Sequence, residues 1–266
     1  MGDRAFVCIC VDGQSDIDSL QLPFQDLFDQ IGHDDIDVKF RFPKFQKKNH
    51  GDITSMTGVT SDNIEKYIYK YYFKDQDKKS DWGLDEVTTI IHIIDLDGAY
   101  VPSDDIKLFT DAEETLADSL VTDGEPKNTL YLGDHIAVRK NLPLRQETLL
   151  RKRKNIEYLL SLEEISVGRR KVRYMLYYFS CNLDHFLHGD ANMTGRGKMY
   201  GASAFSKSVT DADALVAFFS ENEYCTASDY EQSWKCLWKG CASLQRGSNI
   251  HLLIERIRNS AVEDWA

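Results

Sequence analysis

Two short runs of apolar, largely β-branched residues each stop at an acidic turn. The first, AFVCICV at residues 5–11, is followed by Asp12, and the second, EVTTIIHIIDLDG at residues 86–98, carries Asp95 and Asp97 at its end. Runs this short and this apolar are typical of strands that are buried on both faces of a parallel sheet. Because ligands bind beyond the carboxyl ends of such strands, we expect the three acids to meet at one edge of the sheet.

The residues between and around these runs predict helices and one further strand. LPFQDLFDQIG, residues 22–32, places its apolar side chains on one helical face, with its glycine as a stop. IDVKFRF, residues 36–42, alternates as a strand near a sheet edge does. After a polar loop, Asp62 is expected to cap a helix with the sequence NIEKYIYKYYF. Strands that alternate with helices predict βαβ units and therefore a parallel sheet.

Beyond residue 110 the signals are mixed, with a short acidic helix in DAEETLADSL and a candidate fourth strand in TLYLG. PLRQETLLRKRKNIEYLLSLEEI, residues 143–165, predicts a long amphipathic helix, and RRKVRYMLYYFS, residues 169–180, predicts a strand. Three capped apolar stretches after residue 210 predict three more helices. We therefore expect an α/β fold in which a parallel sheet is flanked by helices, with a mainly helical C-terminal part. Residues 1–135 would form the α/β core, and residues 136–266 a basic helix and strand segment followed by helices.

The net charge of −11 is unevenly distributed along the chain. Residues 95–135 contain eleven acids against two lysines, whereas residues 139–173 contain eleven lysines and arginines against four glutamates. An acidic block beside a basic block suits a site that holds cations and also meets a polyanion. The same distribution is also typical of two solvated faces of opposite sign.

Composition indicates the compartment. No apolar run approaches the length needed to cross a bilayer, and the N-terminus MGDRAFVCIC lacks a charged and then apolar signal region. The six cysteines show no C-x-x-C pairing, which favours reduced thiols over a disulfide framework or a zinc site. We expect a cytoplasmic protein with no membrane partner.

The three acids predict a metal site. Carboxylates that are brought together at one edge repel one another, and a hard divalent cation with oxygen ligands relieves that repulsion. A glycine follows Asp12 and another follows Asp97, so the backbone could approach a metal or a phosphate closely. Either Asp-Gly pair alone would fit an ordinary turn. Together, they indicate that Asp12, Asp95 and Asp97 bind Mg²⁺ or Mn²⁺.

The segments VCICVDGQSD and TTIIHIIDLDG resemble the Toprim fold of primases, topoisomerases and OLD-type nucleases. The resemblance covers about residues 5–135 and implies a Toprim-like parallel sheet with metal-dependent phosphoryl transfer. It also implies that the first acid, Asp12, transfers a proton or binds metal, and that Asp95 and Asp97 hold the metal. The family usually has glutamate at the first position. The shorter Asp12 leaves two alternatives, a site adapted to aspartate or a weakened one.

A later segment, YFSCNLDHFLH at residues 178–188, resembles small stand-alone Toprim proteins of bacterial anti-phage systems, of the RloB type. The resemblance implies that Asp184 and His188, which share a helical face, are catalytic. The same residues also fit an ordinary helix start with Asn182 as its cap. His92, within IIHII, is expected to be a core histidine with satisfied hydrogen bonds.

Clustered basic residues are the candidates for contact with nucleic-acid phosphates, which would be independent of base sequence and weakened by salt. These are Arg151, Lys152, Arg153, Lys154, Arg169, Arg170, Lys171 and Arg173. A long helix also needs a charged outer face, so solvation alone would explain part of this cluster.

Two hypotheses follow. In the first, the chain is a Mg²⁺- or Mn²⁺-dependent Toprim-type nuclease that cleaves DNA or RNA as an effector of bacterial anti-phage defence. Any ATPase activity would then come from a separate partner protein, because GDANMTGRGKM at residues 189–199 does not fit the P-loop pattern. In the second, the chain is a catalytically weakened Toprim-fold subunit with a binding or regulatory role.

Overall fold

The architecture is a mixed α/β fold. A computed structural model describes residues 5–31, 35–43, 52–74, 86–122, 124–225 and 227–266. The strands in this part are β1 (Ala5–Cys10), β2 (Ile36–Arg41), β3 (Thr89–Asp95), β4 (Ile106–Leu108), β5 (Val121–Thr122), β6 (Glu125–Pro126), β7 (Thr129–Leu132), β8 (His135–Val138), β9 (Glu164–Val167), β10 (Arg170–Ser180) and β11 (Gly247–Ser248). The helices are α1 (Gln14–Gln30), α2 (Ile64–Ile68), α3 (Asp111–Ser119), α4 (Leu142–Leu160), α5 (Leu183–His188), α6 (Gly195–Ser208), α7 (Ala212–Ser220), α8 (Tyr230–Cys236) and α9 (Ile250–Asn259).

The main sheet has the strand order β2–β1–β3–β10–β11. Strands β2, β1, β3 and β10 are parallel, whereas β9 and β11 pair with β10 in the antiparallel sense. In the register of β1 and β3, Cys10 lies opposite His92, so the two strands run side by side with their carboxyl ends at one edge. The predicted parallel sheet flanked by helices, with β1 beside β3 and a helical C-terminal part, is confirmed.

Apolar side chains pack on both faces of this sheet. On one face, Val7 and Ile9 pack with α1, α7 and α9, and on the other, Cys8 and Cys10 pack with α2 and α4. Because side chains alternate between faces along a strand, a strand that is covered on both sides needs apolar residues at nearly every position. This is why AFVCIC and TIIHIID are nearly continuous apolar runs.

Several helix boundaries differ from the prediction. Helix α1 begins at Gln14, eight residues before the predicted start, because the Asp16 carboxylate accepts the Gly13 N–H at 2.8 Å and the helix continues through Pro23. Helix α2 begins after Asn63 rather than after Asp62. Helix α6 was not predicted. The glycine stop expected at residue 32 lies outside the described residues.

A small second sheet lies between β3 and α4 in the chain. Its order is β4–β8–β7, and α3 packs beside it. Arg139 forms ion pairs with Glu114 and, at 2.7 Å, with Asp118, while His135 Nε2 lies 2.7 Å from Glu113 Oε1. These contacts attach α3 to both ends of β8.

The division near residue 135 stays a prediction, and β10, which lies C-terminal to it, is hydrogen-bonded to β3. The six cysteines are free thiols, as predicted. No helix within the described ranges has the length and apolar character needed to span a membrane.

Candidate metal centre

The carboxyl ends of β1, β3 and β10 lie next to one another and are joined by backbone hydrogen bonds. The Leu96 N–H donates to the Phe179 carbonyl at 3.1 Å, and the Asp97 N–H donates to the Cys181 carbonyl at 2.7 Å. The Leu183 N–H, in the first turn of α5, donates to Asp95 Oδ1 at 2.9 Å. The acidic turn after β3 is therefore fixed against the start of α5.

Asp12 and Asp95 meet at this edge, as the sequence predicted. Asp12 Oδ2 accepts the backbone N–H of Asp95 at 3.1 Å. The second oxygen, Asp12 Oδ1, is buried and has no hydrogen-bond partner among the described residues. Burial and the nearby carboxylate of Asp52 raise the pKa of Asp12 well above its usual value, although Lys152 opposes them. Asp12 thus offers a buried oxygen that still needs a donor or a cation.

Asp16, which was not among the predicted metal ligands, belongs to the same cluster. Burial raises the pKa of Asp16 to about 6, with Lys198 opposing and Asp184 adding to the rise. Burial and the carboxylates of Asp16 and Asp12 likewise raise the pKa of Asp95 well above its usual value. The signal was the spacing of Asp12 and Asp16, which places the second acid in the first turn of α1.

Asp97 is held by a buried lysine. Lys152 Nζ lies 2.7 Å from Asp97 Oδ2 and 2.8 Å from Asp52 Oδ2, and its side chain is only 1% exposed. Burial alone would lower the pKa of Lys152, but the carboxylates of Asp52 and Asp97 outweigh burial and raise it. Burial alone would raise the pKa of Asp52, and the Lys152 ammonium holds it below its usual value. Lys152, predicted to contact nucleic acid, therefore contacts the acids of this site.

A tyrosine and an arginine support the opposite side of Asp97. The Tyr131 hydroxyl donates to Asp97 Oδ1 at 3.1 Å. Arg145 Nη2 donates to that hydroxyl oxygen at 3.0 Å and to the Asp97 carbonyl at 3.4 Å. Asp97 itself has a left-handed backbone with φ of 48°. Together with Lys152, these contacts fix the orientation of the Asp97 carboxylate.

The segment after β10 brings one of its two predicted catalytic residues to the cluster. Asp184 is buried, and its Oδ2 lies 2.6 Å from Lys198 Nζ of α6. Asn182 caps α5 by accepting the His185 N–H at 2.9 Å, as the structural alternative predicted. His188 is exposed at the end of α5, and its ring packs against Gly201 of α6. No hydrogen bond joins His188 to the acids in the described part of the chain.

The basic candidates divide into two groups. Arg151 and Arg153 lie on α4 near the site, where Arg151 Nη2 donates to the Ser55 carbonyl at 2.9 Å and Arg153 lies over the Tyr100 ring. Lys154 is exposed on the same helix. Arg170, Lys171 and Arg173 lie at the amino end of β10, about 23–33 Å from its carboxyl end at a rise of ~3.3 Å per residue, and Arg169 precedes the strand.

His92 is the core histidine that the sequence predicted. It is 1% exposed, and its Nε2 and Nδ1 lie 3.2 Å and 2.8 Å from the hydroxyls of Tyr72 and Tyr174. Burial lowers the pKa of His92 to about 4, so the ring is neutral at pH 7. Tyr72 also donates to the Val11 carbonyl at 3.2 Å, which supports the backbone just before Asp12.

The residues present suit a hard divalent cation in their chemistry. Among the described residues, no three His, Cys, Asp or Glu side chains are already gathered in an arrangement that could hold a metal ion. Two features nevertheless favour a cation. The two lysines Lys152 and Lys198 compensate only part of the negative charge, and Asp12 Oδ1 lacks a hydrogen-bond partner among the residues that the structure describes. The acids of the cluster are Asp12, Asp16, Asp52, Asp95, Asp97 and Asp184. Carboxylate oxygens are the ligands that Mg²⁺ prefers, so the donor set matches a hard cation in its chemistry.

Comparison with known proteins adds no relative to this description. No protein-family model, no curated protein and no solved structure was found to match the chain.

Proposed function

We propose that this protein is a Mg²⁺- or Mn²⁺-dependent nuclease of the Toprim type that cleaves DNA or RNA. The observation that carries the proposal is the meeting of acids at the ends of adjacent parallel strands, where Asp12 Oδ1 is buried without a partner among the described residues. Asp12, Asp95 and Asp97 would hold the cation, with Asp16 beside them. The sequence resemblance to Toprim proteins supports the same site.

The side chains of the site have distinct tasks in this proposal. When bound, the cation would polarise the phosphoryl oxygens and lower the pKa of a bound water. Asp12 accepts a proton more readily than an exposed aspartate, because burial raises its pKa. Lys152 orients Asp97 and supplies a fixed positive charge, and Lys198 does the same for Asp184. His188, which is exposed at the end of α5, would take part only as a general acid at the edge of the site.

A second function is favoured by one specific observation. Lys152 provides an internal cation for Asp52 and Asp97, so part of the acidic cluster is stabilised without any metal. Such an arrangement suits a Toprim-fold subunit that binds nucleic acid or a partner protein and has lost cleavage, with Asp12 in place of glutamate. A role in anti-phage defence and a separate ATPase partner remain predictions in either case.

The two functions are separated by a cleavage assay. Labelled single- and double-stranded DNA and RNA are incubated with the protein in Mg²⁺, Mn²⁺ or EDTA. The nuclease proposal expects metal-dependent cleavage that Asp97→Ala lowers by ~10- to 100-fold. Asp104→Ala, which removes an exposed acid outside the cluster, is the matched control. Binding without cleavage in any metal would favour the second function, and cleavage unaffected by Asp97→Ala would place the active site elsewhere.

A further inference from the structure

A second pocket, lined by Lys140 and Arg145, contains none of the acids of the candidate metal centre among its described lining residues. It is a cavity of about 230 Å³ between the first turns of α4 and the β7–β8 hairpin. Two aliphatic side chains complete its wall, and no acid from the described part of the chain lines it. Its polar lining consists of Asn128, Thr129, Lys140, Asn141, Arg145 and Thr148. Cations, hydroxyls and amides without a carboxylate are the groups that recognise an anion.

Arg145 joins this pocket to the candidate metal centre. One terminal nitrogen, Nη2, is used by the Tyr131 hydroxyl and the Asp97 carbonyl. Arg145 Nε is buried and has no hydrogen-bond partner within the described ranges. A buried guanidinium N–H without an acceptor is costly, and an anionic oxygen would satisfy it with a charge-assisted bond. The unsatisfied donor therefore indicates a ligand.

The other donors of the pocket point to the same chemistry. Lys140 is exposed and forms no ion pair with any described residue, so its ammonium is available. Asn141 precedes α4 with a left-handed backbone, φ 58°, and its side chain makes no capping bond. The 19-residue α4 also directs the positive end of its dipole here. The helix end strengthens a site that Arg145 and Lys140 already define.

The size of the cavity limits what enters it. Pockets for whole drug-sized ligands occupy roughly 300–1,000 Å³, so 230 Å³ suits a single charged group with a small part of its ester. A phosphoryl group matches the planar guanidinium of Arg145, the point charge of Lys140 and the hydroxyl of Thr129.

We propose that the pocket lined by Arg145 and Lys140 binds a phosphoryl group. That this phosphoryl group belongs to the backbone of a nucleic-acid strand rests on the proposed nuclease function. In that function, the pocket would hold a phosphate next to the one that is cleaved. The same chemistry is offered by a free mononucleotide, and binding experiments distinguish the two sources.

The test measures binding without metal, so that it does not depend on cleavage. A fluorescein-labelled single-stranded oligonucleotide is titrated with the full chain in EDTA, and its anisotropy is followed at several salt concentrations. Lys140→Glu is expected to weaken binding by ~10-fold and to lower the salt-dependence slope by about 1, the value for one lost phosphate contact. Lys140→Gln is expected to cause a smaller loss, because it removes the charge without reversing it.

The control is Lys207→Glu, which makes the same charge change at an exposed lysine of α6 far along the chain from the pocket. It is expected to leave binding within about twofold of the unmodified protein, and thermal unfolding confirms that both variants fold. Equal weakening of oligonucleotide binding by Lys207→Glu and Lys140→Glu would overturn the assignment of the pocket, because the overall charge of the protein surface would then explain binding. Binding unaffected by Lys140→Glu would overturn it as well.

Competition identifies the source of the phosphoryl group. Inorganic phosphate should displace the oligonucleotide from the unmodified protein more effectively than from Lys140→Glu. Tighter binding of the oligonucleotide than of a mononucleotide assigns the pocket to a strand, and equal affinity assigns it to a free nucleotide. Loss of cleavage by Asp97→Ala with the Lys140 effect intact supports both proposals. A Lys140 effect without any metal-dependent cleavage leaves the pocket established and overturns the nuclease.

Discussion

Lys152 Nζ bridges two carboxylates, lying 2.7 Å from Asp97 Oδ2 and 2.8 Å from Asp52 Oδ2. Since the lysine side chain is 1% exposed, the pairs are screened little by water or salt. A buried pair of this kind adds little net stability over apolar packing, but removal of one partner leaves the other charge buried and alone. Lys152 is therefore the residue whose replacement shows most directly what the acids require.

Replacement of this lysine should make the protein depend on metal. In EDTA, Lys152→Met should lower the free energy of unfolding by about 3–5 kcal/mol, because Asp52 and Asp97 lose their counter-ion. This corresponds to a fall in the melting temperature on the order of 10 °C. Added Mg²⁺ should raise the melting temperature of the variant more than that of the unmodified protein, since a divalent cation would replace the lost charge.

The matched control is Lys154→Met, which replaces an exposed lysine two residues further along α4. It should change the melting temperature by only a degree or two, with the metal response of the unmodified protein. If Mg²⁺ stabilises the unmodified protein but not Lys152→Met, the lysine and the metal do not compensate the same acids.

Asp95 should limit the stability of the metal-free protein. Burial and the neighbouring carboxylates raise its pKa, so its charged form is disfavoured in the folded state. Asp95→Asn removes the charge but keeps an oxygen to accept the Leu183 N–H. We expect it to stabilise the metal-free protein by on the order of 1 kcal/mol.

The same substitution should abolish the rise in melting temperature that Mg²⁺ causes in the unmodified protein. Asp29→Asn, at an exposed position of α1, should alter neither quantity. A full metal response in Asp95→Asn would show that the cation binds away from this edge. Thermal unfolding with and without Mg²⁺ gives both results.

The convergence of Asp12 and Asp95 was predictable because it follows from local pattern and one topological rule. Each acid ends an apolar run short enough to be a parallel strand, and parallel strands share an edge for their carboxyl ends. The position of Asp184 was not predictable in the same way. It depends on β10 pairing with β3 across about 80 residues, which no local periodicity specifies.

The prediction that Lys152 contacts nucleic acid came from its place within a run of four basic residues, whereas its side chain is buried against Asp52 and Asp97. Its spacing carried a contrary signal. Arg145, Leu149, Lys152 and Ile156 recur at intervals of three or four, so they share one face of α4, and Leu149 and Ile156 are buried. A cation within an apolar stripe indicates an acid opposite it, which the sequence alone could not identify.

His135 should make stability depend on pH. Partial burial alone would lower its pKa, but hydrogen bonds to Glu113 and Asp134 outweigh burial and raise it. A histidine with a raised pKa in the folded state contributes stability below its unfolded pKa of about 6.5 and loses it as pH rises through the folded value. His135→Gln should therefore be destabilised relative to the unmodified protein at pH 5.5, by on the order of 1 kcal/mol, and by less at pH 8.5.

Urea unfolding at the two pH values measures this difference. His188→Gln, which removes an exposed imidazole from α5, is the control for the loss of a histidine elsewhere in the chain. A deficit for His135→Gln that is equal at pH 5.5 and pH 8.5 would mean that the imidazole is not charged between Glu113 and Asp134.

The length of the first acid should matter for cleavage. Asp12 Oδ2 reaches the Asp95 N–H at 3.1 Å, and the acid lies close to the Asp52–Lys152 pair, so its surroundings suit the shorter side chain. Asp12→Glu restores the residue of the resembled family but moves the carboxylate out by one methylene. If the pocket is adapted to aspartate, a misplacement of ~1 Å should lower the single-turnover cleavage rate by about a hundredfold. Asp12→Ala should lower the rate at least as much, because it removes the oxygen that has no partner among the described residues.

Single-turnover cleavage rates at saturating Mn²⁺ decide between an adapted and a weakened site. A higher rate for Asp12→Glu would identify Asp12 as the remnant of a weakened site, and equal rates for all three proteins would show that this position takes no part in the chemistry.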